Sequence, residues 1–106
     1  MIIDNIKNFY NGWFVGSFEP TIHNTENFEV GFKKHKKGEF VEPHYHKIAT
    51  EINLLVRGKM IIQDTELNSG DIFILKPYEI ANPIFLEDSE ILVIKTSTGI
   101  NDKFII

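Results

Sequence analysis

The sequence predicts an all-β chain closed into a sandwich or barrel. Three observations point there. Short runs rich in β-branched and aromatic residues recur along the 106 residues, turn-forming residues separate them roughly every eight to twelve positions, and no segment reads as a convincing helix. Hydrophobic residues make up 42% of the chain and nine of them are Phe. That is ample for one core and argues against disorder.

Taken in order, Trp13-Phe14-Val15-Gly16-Ser17-Phe18 is the first strand, stopped by Pro20. The first ten residues form either an opening strand or a single helical turn. Phe28 to Phe32 alternates apolar and non-apolar residues, as a half-buried strand should. Glu51 to Val56 is the next strand, ending in Arg57-Gly58. Lys59 to Gln63 runs into a turn at Asp64-Thr65, and Asn68-Ser69-Gly70 makes another. Asp71 to Leu75 and Glu90 to Thr96 are the last two clear strands, bridged by Pro77 and Pro83. The tail around Asn101-Asp102-Lys103-Phe104 carries no clear signal.

Two of these strands, around Ile72-Phe73-Ile74-Leu75 and Ile91-Leu92-Val93-Ile94, are apolar on both faces. A small barrel has one inside, so the second face needs a cover. Tail segments or a second subunit could provide it, and a homodimer through sheet-face packing or strand exchange is expected.

Composition narrows the function classes. The formal net charge is −4 and the sequence pI about 5.5, which gives no general attraction for nucleic acid. Lys33-Lys34-His35-Lys36-Lys37 is the local exception. It reads as a solvated strand end that discourages edge pairing, in preference to an anion site. There is no cysteine, hence neither a disulfide framework nor a thiolate metal site. No apolar run approaches the roughly 20 residues needed to span a bilayer, and Asp4, Lys7 and Asn8 interrupt any leader-like start. A cytoplasmic protein that binds neither membrane nor nucleic acid is the expectation.

The chemistry concentrates between Gly38 and Gly58, two glycines that read as turns. His44 and His46 are two apart, so an extended strand points both imidazoles to one face. Glu51 has the opposite parity and joins them only if the chain turns through Lys47 to Thr50 and returns as a neighbouring strand. Two imidazoles and a carboxylate suit a divalent transition metal: iron, manganese, nickel, zinc or copper. Three protein ligands would leave open positions for water or substrate.

The full frame is Gly, five residues, His-x-His, four residues, Glu, six residues, Gly, and it resembles the first motif of the cupin superfamily at every defining position. The run from Gly70 to Asn82 resembles the opening of the second cupin motif, with Ala81 where many cupins carry a further metal-binding histidine. The resemblance implies a single cupin domain over residues 1–106 with the double-stranded β-helix, or jelly-roll barrel, fold. It implies metal bound by His44, His46 and Glu51, with a small polar, possibly sugar-derived, metabolite as ligand. His23 and His35 could replace the missing histidine but are read as surface residues.

Two other readings stay open. His44-Tyr45-His46-Lys47 also resembles the His-x-His-Lys stretch of sugar ketoisomerases, which implies metal-free acid–base chemistry. There His44 or His46 would be the base and Tyr78 the acid. A non-catalytic ligand-binding cupin is the third reading. Asn53 and Leu55 share the parity of Glu51 and should continue its wall, while Trp13, Phe32 and Tyr78 are further candidates to line a pocket.

Overall fold

The computed structural model describes residues 1–96 and 102–106. Among them are ten short strands: β1 (Trp13–Val15), β2 (Phe28–His35), β3 (His44–His46), β4 (Glu51–Arg57), β5 (Lys59–Ile62), β6 (Thr65–Asn68), β7 (Ile72–Leu75), β8 (Ile84–Phe85), β9 (Ser89–Thr96) and β10 (Lys103–Ile105). One sheet runs β1-β2-β9-β4-β7, and the other side consists of β6-β5-β8 and the pair β10-β3. Every pairing is antiparallel. Leu55, Leu75, Ile91 and Val93 from the large sheet meet Met60, Ile62 and Phe85 from the opposite side in one buried core. This is the double-stranded β-helix, and no helix of the described residues is long and apolar enough to cross a membrane.

Several boundaries differ from the sequence reading. The first ten residues contain no strand but a 3-10 turn, Ile6–Asn8, started by the Asn5 side chain accepting from the Lys7 N–H. Strand β1 ends at Val15, short of Phe18, because the chain folds back at Gly16 under the Phe18 ring. The turn after β5 is at Gln63-Asp64, one residue early, with φ of 48° and 59°. Two consecutive positive φ values give the turn whose twist matches a two-residue hairpin, so Thr65 starts a strand instead of finishing a turn. Strand β2 continues through Lys33 to His35 because all eight of its residues find partners on β9.

The crossing from β3 to β4 departs most from expectation. The chain does turn through residues 47–50, yet β4 does not return beside β3. It enters the opposite sheet, between β9 and β7. The corner is held by one residue from the far end of the chain. The Asp102 carboxylate accepts the backbone N–H of Lys47 at 2.9 Å, Ile48 at 3.1 Å and Ala49 at 2.9 Å. Thr96 closes the same corner, its backbone N–H donating to the Thr50 carbonyl at 3.0 Å.

The doubly apolar strands are as anticipated. On β7, Phe73 and Leu75 face the cavity while Ile72 and Ile74 remain 67% and 49% exposed. The N-terminal segment covers part of the sheet's outer face, where Ile6 and Phe9 border Phe14, Phe32 and Leu92.

Burial pushes the Asp102 carboxyl up, but the three N–H donors outweigh it and hold it below the usual carboxylate range. Asp102→Ala is therefore expected to lower stability by about 2–3 kcal/mol in denaturant unfolding. Because the folded pKa is depressed, this contribution is complete above the ordinary value near 4 and is lost as pH falls through the lower folded value. Asp102→Asn should flatten that acid-side loss; an unchanged acid limb would contradict the assignment.

Candidate functional site in the barrel cavity

Between the two sheets lies a cavity of about 720 Å³. Met60, Leu75 and Phe85 form its apolar depth, and His44, His46, Glu51 and Lys95 line it as well. The parity argument holds for β4: Glu51 and Asn53 line the cavity, and Leu55 is fully buried in the same wall. On β3, His44 and His46 face inward while Tyr45 faces away. The structure thus brings His44, His46 and Glu51 to one cavity.

Their geometry is uneven. His46 Nδ1 stands 3.6 Å from Glu51 Oε2. The His44 and His46 rings are nearly perpendicular, at 84°, with centroids 5.8 Å apart. His44 Nδ1 is 2.8 Å from the Glu42 carbonyl; donating there leaves Nε2 as the free lone pair. Burial, then the charge of Lys95, then His44 push His46 down to about 4, so it is neutral at physiological pH. Burial raises the Glu51 carboxyl, with Lys95 opposing.

The donor chemistry, two imidazoles and a buried carboxylate, suits a divalent transition metal, with Lys95 beside Glu51 in the same row. As placed, however, only His46 and Glu51 approach one another, and among the described residues no group of three His, Asp or Glu side chains is close enough to hold an ion. The residue directly opposite His44 is Ala81. Their backbones exchange hydrogen bonds of 3.1 and 2.8 Å, and Ala81 contributes only a methyl to the cavity wall.

Tyr78, the sequence candidate for an acid, does not line the cavity. It sits at φ +72° on the turn after β7, 65% exposed, and stacks on the outward ring of Tyr45 with centroids 6.1 Å apart. Phe32 likewise faces outward, whereas Trp13 and Asn53 do line the cavity. His23 is exposed. His35, read as a surface residue, points inward and stacks on Phe85 with centroids 4.3 Å apart.

The cavity also holds charged residues that the sequence reading passed over. Glu29 on β2, Lys95 on β9 and Glu51 on β4 occupy one cross-strand row, and Lys95 Nζ lies 3.5 Å from Glu29 Oε1. The next row places Trp13 beside Gly31. A Cβ at Gly31 would meet the indole at 2.7 Å, so this glycine lets the ring lie flat on the sheet. Lys33 Nζ approaches that ring to 5.4 Å and Lys95 Nζ to 5.9 Å. Lys103, across from His46 on β10, lines the cavity too.

The sequence matches no protein-family model and no curated protein. Solved structures do resemble it. A protein with a double-stranded β-helix domain from Klebsiella pneumoniae is 17% identical, with a TM-score of 0.68 over 76% of this chain and 71% of that one. A cupin protein from Bacteroides fragilis is 25% identical, with a TM-score of 0.58 over 71% of this chain and 70% of that one. Oxalate decarboxylase from Bacillus subtilis is 22% identical, with a TM-score of 0.65 over 76% of this chain but 24% of its own length.

Gly31→Ala is expected to displace the Trp13 ring and cost about 1–3 kcal/mol by overpacking. Trp13 is the sole tryptophan, so intrinsic fluorescence reads the displacement directly. Emission identical to that of the unmodified chain would refute this packing.

Proposed function

We propose that this chain, a small domain with the double-stranded β-helix fold of cupins, binds a small polar metabolite in its cavity beside a divalent transition metal held by His44, His46 and Glu51. The observation that carries this reading is the His46–Glu51 approach of 3.6 Å inside a cavity that His44 also lines. Burial raises the Glu51 carboxyl even with Lys95 beside it, and a metal ion would offset that cost. Held there, the metal would act as a Lewis acid toward a bound oxygen. The chain's own residues supply the surroundings. His44, with Nδ1 tied to Glu42, presents Nε2; Lys95 is steadied by Glu29; the apolar cluster forms the wall behind them.

The metal-free alternative loses its partner acid, since Tyr78 lies outside the cavity. It would have to run on His46 and Glu51 alone. A ligand-binding role without chemistry would use the same cavity. Protein purified without added metal and analysed for bound elements tests the reading. Near-stoichiometric metal is expected, falling at least tenfold in His46→Ala and Glu51→Gln. Metal-free protein that takes up none on reconstitution, or variants that retain it, would remove the metal centre from this proposal.

The partner in the same reading is a second copy of the chain. The strip formed by Ile72 and Ile74 beside Leu54 and Ile52 is the apolar face left for it. Light scattering should give twice the 12.3 kDa chain mass, and Ile72→Lys with Ile74→Lys should return it to a monomer. A wild-type monomer that persists at high concentration would exclude the dimer.

A further inference from the structure

The lysines of the cavity divide into two kinds. Lys95 is neutralised: Glu29 lies at 3.5 Å, and Glu51 follows in the same row. Lys33 and Lys103 are not. Among the described residues neither has a carboxylate within ion-pair distance, although both line the cavity. Lys33 is on β2 and donates only to the backbone carbonyl of Asn11, at 2.7 Å. The acid nearest to its strand end, Glu39, is engaged with His35 at 2.6 Å. Lys103 comes from β10 in the other sheet, directly across from His46. Paired residues on neighbouring strands project to one side, which places Lys103 on the cavity side with His46.

Two cations from opposite sheets therefore face one cavity. Burial and then the charge of Lys103 each push the Lys33 ammonium below the usual lysine range. An anion entering the cavity would supply the counter-charge that both lysines lack. The Trp13 indole lines the same cavity, lying against Gly31 with Lys33 Nζ 5.4 Å from its ring. A flat aromatic surface accepts the apolar face of a ring or chain.

We propose that Lys33 and Lys103 are the recognition residues for a terminal oxyanion, carboxylate or phosphate, on a small polar metabolite whose body lies over Trp13 toward His44 and His46. This deepens the proposed function by naming the ligand class, and it rests on the cavity being the metabolite site. It does not require the metal.

Trp13 fluorescence provides the test, with chelator-treated and metal-loaded protein measured in parallel. The probes are D-glucuronate, glucose 6-phosphate and glucose, which share a ring and differ in the anion. At least one charged probe should change Trp13 emission saturably, and glucose should bind at least tenfold more weakly. Whichever charged probe binds more tightly tells carboxylate from phosphate. Lys33→Met and Lys103→Met should each weaken it by at least fivefold, and raising the salt concentration should weaken it further. Lys103 is on an exposed strand, so its variant tests the idea even if Lys33→Met folds poorly. Equal binding of glucose, wild-type affinity in Lys103→Met, or no saturable binding of either anion would overturn the proposal. Charged probes that bind the chelated protein normally would support this inference even where the metal reading had failed. Bound metal without anion selectivity would sink this inference alone.

Discussion

The arrangement of the site depends on one corner, the passage from β3 in one sheet to β4 in the other. Residues 47–49 turn with their N–H groups pointing inward, where they have no strand partner. Asp102 meets all three, and it does so from the far end of the chain. An unsatisfied buried N–H costs about 1–3 kcal/mol, so without this carboxylate the turn would have to open toward water. The distance between His46 and Glu51 would then no longer be fixed, because those residues flank the turn. Ala49, 1% exposed, packs at the same place. The tail that carries Asp102 also supplies β10, whose pairing holds β3 in line. One segment thus secures both the histidine strand and its connection to the glutamate.

The interior beside that corner is polar, and this inverts the usual pattern on β2. Glu29, Gly31, Lys33 and His35 share the inward face, while Val30 and Phe32 look outward. The inversion is sustainable because the inward charges are not isolated. Glu29 and Glu51 flank Lys95, and His35 is both stacked on Phe85 and bonded to Glu39. The outward apolar residues are sheltered in turn by Ile6 and Phe9 of the N-terminal segment. Ile6 and Phe9 in the short turns of the first dozen residues therefore have a packing role.

The legible parts of the sequence were the local ones. Alternation on β4, the doubly apolar β7 and β9, and the glycine-framed histidine pair each depend on neighbouring residues, and each has its counterpart in the structure. The features that were missed depend on pairing between distant segments. Strand β10 has only three residues and exists through β3, more than fifty positions away. Nothing local marks Asp102 as a corner anchor. On β2, alternation was correctly seen, but which face is interior is a question of topology. Assigning the apolar face inward would have put Phe32 in the cavity and Lys33 outside, the reverse of what is found. Tyr78 was misplaced for a related reason: a positive φ at the turn swings its ring outward onto Tyr45.

The same electrostatics bears on how a metal and a metabolite would share the cavity. Burial first, then the charge of Lys95 and to a lesser extent Lys103, keep a proton off His46, which leaves its lone pair available, yet the lysines' positive charge opposes a divalent cation nearby. Glu29 answers Lys95, but no described carboxylate within ion-pair range answers Lys103. An oxyanion seated by Lys33 and Lys103 would remove the remaining repulsion. The two binding events would then favour each other, and by linkage the favour is reciprocal. A site with three protein donors and uncompensated lysines beside it would be completed by an anionic ligand, not by another histidine.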